Sequence, residues 1–450
     1  LSGERKPDSI SDTAERPFLL QCNEHRGHVI RRAPAFCDIQ QALAAVGATS
    51  IVVWLTLGFA MGLTRGFCIH ISQAYGKKDY HLVNRGFFVA SVLSLIVGAM
   101  ISIVGSLAIR DFLILMHTPG EILEQSLDYI KVILLGFVIT VLNNLFMSVL
   151  QSLGDSSTPF WALLVSSVTN IGLDCVFVLT LKWGVQGAAA ATVLSQVFSF
   201  AICAAGLKRL KFVSILDGSK SKNARLTVRM LKTGLPVGIM SMVTAVGGMI
   251  LQFFVNDLGA SAVAAYAAST KIRSVIGEFS NALGMTFMTF VGQNYGAQKY
   301  DRIKAGVRMG VLLSILIHIP LSAVEIFGGK RIASLMVTDP PVLELCRQYL
   351  LIVGIFVFFL GFLMVFRNCI QGMGNTWIPM LSGGLEVFSR LIFGYWLGRH
   401  SFMGIAAAEA SAWISVSIML GSSFFILFRK VLRTQTPENT TDTKNIRTDS

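Results

Sequence analysis

The chain has 450 residues, of which 53% are hydrophobic and 14% are charged, whereas an ordinary soluble protein carries about 25% charged residues. This composition excludes a secreted disulfide scaffold and a nucleic-acid-binding domain, and it disfavours a soluble enzyme. A bilayer-spanning helix needs about 20 apolar residues, and apolar runs recur from residue 41 to about residue 430. The seven cysteines form no C-x-x-C pair, so they indicate buried apolar residues rather than metal ligands.

In chain order, the apolar runs predict an all-α polytopic membrane protein. Eleven spans are predicted, at 50–73, 86–108, 128–150, 158–181, 184–207, 233–256, 262–292, 305–327, 349–371, 378–398 and 402–428. The runs lack the period-2 alternation of apolar residues that a membrane β-barrel strand shows. A helical bundle is therefore the expected architecture.

The basic residues indicate how the spans are oriented. Twenty Lys and Arg residues lie in the loops 77–85, 208–232 and 299–308 and in the C-terminal tail, whereas seven lie in the alternate loops. By the positive-inside rule, the first set of loops and the C-terminus lie in the cytoplasm. The net charge of +13 is therefore interpreted as a marker of orientation.

The two halves of the chain repeat at a fixed offset of 220 residues. Gln73–Gly76 aligns with Gln293–Gly296, and the matched single residues are Tyr80 with Tyr300, Glu124 with Glu344, Tyr129 with Tyr349, Gly154 with Gly374 and Pro159 with Pro379. Each Gln-x-Tyr-Gly segment is predicted to end a helix, with its glycine as the C-cap. Because equivalent loops fall on the same side, the repeats are parallel, an arrangement typical of transporters with a cavity between two bundles.

The repeat and the basic connector predict the domain organisation. An N-lobe covers 41–207, a basic cytoplasmic linker 208–232, a C-lobe 233–430 and a cytoplasmic tail 431–450. The helix at Pro236–Asn256 has no apolar counterpart, because the equivalent stretch 16–36 is highly charged. Residues 1–40 are therefore predicted to be an aberrant or disordered segment in place of a first helix, which leaves about eleven of twelve helices. A natural polar N-terminal domain is the alternative.

Several motifs together resemble the bacterial multidrug and toxic compound extrusion (MATE) transporters, and the resemblance covers about 41–430. The motifs are Gly62–Gly76, which ends in Ser-Gln-Ala-Tyr-Gly, and Val291–Ala297, Gln151–Asp155, Asn170–Asp174 and Gly187–Thr192. The resemblance implies a two-lobed fold of twelve helices that exports organic, often cationic, compounds in exchange for Na⁺ or H⁺. It also implies a small-molecule substrate and a monomer in the plasma membrane.

Asp174 is the strongest candidate for a site residue, because a carboxylate within an apolar run is costly unless it faces a wet cavity or a partner. Asn170 lies one turn earlier on the same helical face, so the pair offers oxygens to Na⁺ or shares a proton. The resemblance adds Thr192 to this cation site. A structural, hydrogen-bonded Asp174 is the alternative. The family usually places a further acid on the first helix, which is absent here.

The C-lobe carries further ionisable residues within its predicted spans. Glu386 and Arg390 are spaced i,i+4 and are expected to form an ion pair, with a substrate site as the alternative. Glu409 and Glu278 are candidates for contact with a cationic substrate. Glu278 could instead pair with Lys271 or Arg273.

The sequence contains no phosphate-binding G-x-x-x-x-G-K-[ST] motif, zinc-protease motif or nucleophile elbow, so neither an enzyme nor a cofactor is predicted. We expect a secondary antiporter that works by alternating access and uses Na⁺ or H⁺ as the coupling ion. One alternative is a flippase for lipid-linked saccharides. The pyrophosphate of such a substrate would bind basic side chains in the cavity, for which the candidates are Arg65, Lys271, Arg273, Arg367 and Arg390. We also consider an inactive truncated transporter and a membrane-embedded enzyme, although the spans show no converging acids that would support the enzyme.

Overall fold

The computed structural model describes residues 33–116, 118–214 and 223–433. Across these ranges the polypeptide is helical apart from short turns and contains no strand. The predicted all-α class is therefore confirmed. Most of the segment predicted at 1–40, the middle of the basic connector and the tail after 433 lie outside the described residues. Of the segment 1–40 the structure describes only 33–40, which form the start of a helix rather than a disordered stretch.

Thirteen α-helices are present in the described ranges. They are α1 (Ala33–Gly76), α2 (Tyr80–Leu115), α3 (Gly120–Leu135), α4 (Phe137–Ser152), α5 (Ser157–Asp174), α6 (Gly184–Arg209), α7 (Ala224–Asn256), α8 (Ala260–Gly296), α9 (Tyr300–Ala323), α10 (Gly329–Ala333), α11 (Pro340–Gly372), α12 (Trp377–Phe393) and α13 (Phe402–Arg433). Three π-helical segments extend or join them, at Cys175–Thr180, Val324–Gly328 and Gly394–Gly398. Each of the eleven predicted spans coincides with one of these continuous or bent helical stretches.

Eight helical stretches among the described residues are long and apolar enough to cross a membrane, and the bent pair α3 and α4 adds a ninth. Helices α8 and α12 fall short of that test. Each of them carries ionisable residues within its apolar run, and the most deeply buried of these are Glu386 and Arg390 on α12. These two helices supply some of the candidate charged groups, whereas Asp174 and Glu409 lie on helical stretches that pass the test.

The helix boundaries confirm the repeat. Helices α2 and α9 begin at Tyr80 and Tyr300, and the α3–α4 pair covers the same positions as α11 when 220 is added. Both α5 and α12 pass into a π-helical segment at equivalent places. The repeats differ at Gly136, where α3 and α4 bend by 47°; a Cβ at this glycine would overlap the side chain of Val193. Helix α11 is continuous through the equivalent Phe356.

Two large hydrophobic clusters form the interior, one in each half of the chain. The first half's cluster draws on α1, α2, α4, α5 and α6 and also takes Leu226 and Met230 from the start of α7. The second half's cluster draws on α8 to α11 and α13, together with Leu251 and Phe254 from the end of α7. Helix α7 is therefore packed into both cores. It begins at Ala224, within the predicted linker.

Candidate functional site

The two halves are closed against each other at the end where the basic loops lie. Gln73 Nε2 donates a 2.9 Å hydrogen bond to the carbonyl of Gly372, and Gln293 Nε2 donates a 2.9 Å bond to the carbonyl of Ser152. The two donor residues are 220 positions apart in the sequence, and so are the two acceptor residues. The repeat therefore produces a reciprocal pair of contacts between the lobes, which we call the glutamine contacts.

The glycines of the same motif allow this close approach. A Cβ at Gly76 would overlap the carbonyl oxygen of Gln293, and a Cβ at Gly296 would overlap that of Gln73. The helices end there as predicted, but the expected C-cap role of these glycines is wrong. The left-handed conformation falls two residues later, at Lys78 (φ 60°) and Gln298 (φ 58°), and the glycines serve the crossing of α1 and α8.

Helices α1 and α7 also pack closely in this half of the molecule. Gly62 and Gly66 lie against the backbone of α7, where a Cβ would clash with Gly238 and Gly234. Thr233 Oγ1 donates to the carbonyl of Gly66 over 3.2 Å. Small residues at this spacing allow two helices to approach closely, so these glycines serve the packing of α1 against α7.

Farther from the basic end, α1 and α7 separate into a groove of about 450 Å³. Its walls are mainly apolar and include the large side chains of Trp54, Met249 and Phe253. The amides of Gln252 and Asn256 add polar groups and bond to each other over 2.8 Å. The groove combines aromatic faces with a few hydrogen-bonding groups, as small-molecule sites do.

A polar bridge crosses between the lobes partway along α1 and α8. Arg65 Nη1 donates a 3.3 Å hydrogen bond to Asn281 Oδ1, and Asn281 Nδ2 lies 3.4 Å from Glu278 Oε2. The Glu278 side chain is exposed, and the charges of Arg65 and Glu278 interact. Among the described residues Glu278 makes no ion pair with Lys271 or Arg273, so the alternative assignment to those partners is wrong.

In the first half, Asn170 and Asp174 occupy the last turn of α5, directly before the π-helical segment. Asp174 Oδ1 and Asn170 Nδ2 are buried and have no hydrogen-bond partner. Thr192, on the adjacent helix α6, donates to the carbonyl of Ala188 over 3.0 Å. Within the described ranges Asp174 makes no hydrogen bond, which argues against the purely structural alternative and is compatible with an exchangeable proton or cation.

The second half contains an ion cluster, formed by Arg273, Arg367, Glu386, Arg390 and Glu409. Glu386 accepts from Arg367 at 2.9 Å and lies 3.0 Å from Arg390, which confirms the predicted i,i+4 pair. Glu409 lies 3.2 Å from Arg273 and 3.8 Å from Arg390. All five side chains are buried except that of Arg273, which is 25% exposed.

Two more ionisable groups belong to the surroundings of the ion cluster. Tyr349 on α11 donates its hydroxyl hydrogen to Glu409. Glu325, in the π-helical segment Val324–Gly328, is 1% exposed and has neither oxygen hydrogen-bonded. Sequence reasoning found the i,i+4 pair but did not single out Glu325, although a carboxylate inside the predicted span 305–327 was a visible signal.

The comparisons with known proteins agree with this architecture. The MatE family profile matches residues 40–176 and 236–396. Among similar proteins, the probable multidrug resistance protein YoeA of Bacillus subtilis (strain 168) is 27% identical over 387 residues, which are 81% of this chain and 84% of that protein. An FAD transporter of Shewanella oneidensis is 25% identical over 347 residues, 74% of each chain.

A solved structure described as the outward-facing conformation of a multidrug resistance MATE family transporter of the MOP superfamily superposes with a TM-score of 0.81. It is 23% identical and covers 87% of this chain and 89% of its own, so it supports the fold. The family profile covers well over half of the chain, and the repeat, the two lobes and the helix order are consistent with it. The chain belongs to the MatE family of membrane transporters.

Proposed function

We propose that this chain is a secondary antiporter that exports amphipathic or cationic small molecules in exchange for Na⁺ or H⁺ by alternating access. The observation that carries the proposal is the asymmetry between the two ends of the lobe interface. The glutamine contacts close the basic end, whereas α1 and α7 separate into the apolar groove farther away. Two parallel repeats that rock against each other would exchange the closed end for the open one.

The orientation follows from the basic loops, which the positive-inside rule assigns to the cytoplasm. In this arrangement the closed end faces the cytoplasm, the groove faces outward and the C-terminal tail is cytoplasmic. We assign the protein to the plasma membrane as a multi-pass monomer. The conformation described here then corresponds to the state that releases substrate outside the cell.

The groove and Glu278 support an amphipathic or cationic substrate. Trp54 and Phe253 offer aromatic faces that attract organic cations, and Met249 adds an adaptable apolar surface. Glu278 is the exposed carboxylate beside the interlobe bridge, where it would serve as a counter-ion. Of the other substrate candidates, Glu386, Arg390 and Glu409 are buried in the ion cluster and have ion-pair partners. We assign them to the structure of the C-lobe.

Asp174 and Asn170 support coupling to a cation. A buried carboxylate oxygen without a hydrogen-bond partner gains most from a proton or from Na⁺, with the Asn170 carbonyl and Thr192 hydroxyl oxygens as further ligands. The ion drives transport only if the two conformations bind it with different affinity. Binding at Asp174 would favour the outward-open state, and release to the cytoplasm would permit loading of new substrate.

The second candidate function is transport of an anionic, pyrophosphate-containing compound, as in the lipid-linked saccharide flippase alternative. Arg65 at the lobe interface favours it, and so does the similarity to the FAD transporter, since FAD contains a pyrophosphate. Against it, three of the five candidate cations, Arg273, Arg367 and Arg390, are already paired with glutamates. Drug export therefore has the stronger support.

An efflux assay in a host that lacks its own pumps tests both candidates. Cells expressing the full chain, Asp174→Asn or Glu278→Gln are loaded with a cationic dye over a range of pH and Na⁺ concentrations. Asp111→Asn and Glu121→Gln are matched controls, because both acids are exposed, at the end of α2 and the start of α3, and neither lines the groove. We expect both site variants to lose export and both controls to retain it.

The results distinguish the two candidates. If Asp174→Asn exports as well as its parent at every pH and Na⁺ level, the coupling proposal is wrong. If the parent chain moves FAD into vesicles but leaves the cationic dye untouched, the pyrophosphate-containing substrate replaces the cationic one.

A further inference from the structure

Glu325 is a buried carboxyl group with no hydrogen-bond partner. It lies between α9 and α10 in the π-helical segment Val324–Gly328, and its side chain is 1% exposed. Both of its oxygens are buried and neither accepts nor donates a hydrogen bond among the described residues. The absence of a side chain at Gly354 on α11 accommodates it, since a Cβ there would lie 3.1 Å from the Glu325 Cβ.

The charged groups around Glu325 come from every helix packed near it. Arg273 on α8 and Glu409 on α13 interact with its charge. Tyr349 on α11 is bonded to Glu409, and the buried His318 on α9 is bonded to Ser280 and to the carbonyl of Ser314. Lys330 and Arg331 on α10 are exposed.

Arg273 has unused bonding capacity that matches the unpartnered carboxyl. Its Nη1 lies 3.2 Å from Glu409, but its Nε is buried and has no partner. Glu409 does not depend on Arg273 alone, because Tyr349 and Arg390 also hold it. Arg273 can therefore turn toward a second acceptor without leaving Glu409 as an isolated charge.

The charge balance of the ion cluster gives Glu325 two stable arrangements. The cluster has three arginines and two glutamates, so a third negative charge would neutralise it. An ionised carboxylate that is buried without a partner is strongly disfavoured, so the unbonded arrangement corresponds to the protonated acid. The ionised form becomes stable once it bonds to the guanidinium of Arg273.

We propose that Glu325 is a second proton-binding residue, located in the C-lobe, and that its ionisation moves Arg273 from Glu409 to Glu325. The proton leaves the Glu325 carboxyl for water at the exposed side of Arg273, and a proton returns to that oxygen when the pair separates. This inference rests on the proposed antiport and deepens it, because it identifies H⁺ as an ion carried by the C-lobe. The π-helical segment is consistent with such a role, since these segments occur frequently at functional sites.

Carbodiimide labelling of the purified full chain tests the inference without transport. A hydrophobic carbodiimide reacts with protonated carboxyls in apolar surroundings, and the modified residue is located by mass spectrometry of peptides. We expect Glu325 to be labelled in acidic and neutral buffers and to lose labelling as the pH rises, whereas the paired Glu386 and Glu409 stay unlabelled. Glu325→Gln should remove the label from that peptide.

A second variant tests the switch itself. In Arg273→Gln the ionised form of Glu325 loses its partner, so labelling of Glu325 should persist at a more alkaline pH than in the parent. Labelling of Glu325 that is absent at every pH, is independent of pH, or is unchanged by Arg273→Gln overturns the proposal.

This readout needs neither substrate nor an ion gradient, so it separates the two proposals. A chain that exports drug but shows no pH-dependent labelling of Glu325 retains the proposed function and loses this inference. A chain that fails to export can still show the labelling.

Discussion

The two lobes share one backbone plan but differ in the chemistry of their interiors. The α5 positions Ser166 and Asn170 correspond to Glu386 and Arg390 on α12 when 220 is added. In the first lobe Ser166 donates to the carbonyl of Ser195 over 3.0 Å, a neutral contact between helices. In the second lobe the equivalent Glu386 bonds two buried arginines. The repeat thus fixes where helices lie, and single substitutions at equivalent positions decide whether a lobe holds a lone acid or an ion cluster.

The lobes also differ in the continuity of one helix. The α3–α4 pair bends at Gly136, where the backbone approaches Val193 closely. The equivalent Phe356 carries a large side chain that forbids such an approach, and α11 stays continuous. Bends in helices have identifiable causes, and here the cause is a glycine present in one repeat alone.

The largest expected difference between the lobes is in how much the free energy of unfolding falls when a carboxylate is removed. Glu386→Gln leaves Arg367 and Arg390 without their shared partner, and breaking a buried ion pair costs about 3–5 kcal/mol. Asp174→Asn removes a carboxylate that makes no ion pair among the described residues and should lower the free energy of unfolding little or not at all. Denaturation of both variants in the same detergent measures the two values. Equal losses would contradict the distinction between the lobes.

The next largest effect concerns the glycines that the repeat places symmetrically. Gly76→Ala or Gly296→Ala puts a Cβ against the opposing backbone, and overpacking of this kind costs about 1–3 kcal/mol. Hydrogen exchange of the peptides around both positions should become faster, because the closed end is weakened. Gly172→Ala is the control, since no atom lies within 4 Å of the added Cβ. An unchanged exchange rate in both variants would show that the crossing tolerates a side chain.

The glutamine contacts should contribute less to the stability of the closed end, and each of the two hydrogen bonds should contribute equally. Gln73→Ala and Gln293→Ala each remove one interlobe hydrogen bond, worth about 1 kcal/mol. Hydrogen exchange at the basic end reports the weakening of each contact. If one variant opens the closed end and the other has no effect, the two hydrogen bonds contribute unequally to stability although their geometry is equivalent.

The smallest effect is expected at an exposed ion pair that both repeats contain. Arg110 lies 3.8 Å from Glu124, and the side chains are 65% and 72% exposed; the equivalent Lys330 lies 3.5 Å from Glu344. Exposed pairs contribute about 0–1 kcal/mol, so Glu124→Gln should change the free energy of unfolding by less than about 1 kcal/mol. Added salt should reduce even that difference. A loss comparable to that of Glu386→Gln would contradict the role given to burial.

The sequence predicted the spans and the repeat because both depend on local patterns. Apolar runs identify helices directly, and the matched Gln73 and Gln293 identify equivalent loops. The pair Glu386 and Arg390 was predictable for the same reason, since i,i+4 spacing places two side chains on one helical face.

Contacts between distant helices could not be predicted in the same way. Arg273 pairs with Glu409 rather than with Glu278 because α8 turns Arg273 toward the C-lobe interior and Glu278 toward the surface. The isolation of Glu325 depends on the groups that surround it in space, and a single helix does not reveal them. The tight crossing at Gly76 likewise depends on a helix that lies 220 residues away in the sequence.

The packing of α7 into the cores of both lobes has a consequence for the folding of the chain during its synthesis. Leu226 and Met230 complete the core of the first lobe, so that lobe cannot finish packing until more than half of the chain has been made. Domains usually fold as units, beginning with the N-terminal one during synthesis. Here a translation pause before residue 230 would leave the first bundle inserted in the bilayer with an unfilled site in its core. The timing of translation and membrane insertion around α7 therefore becomes a determinant of correct assembly.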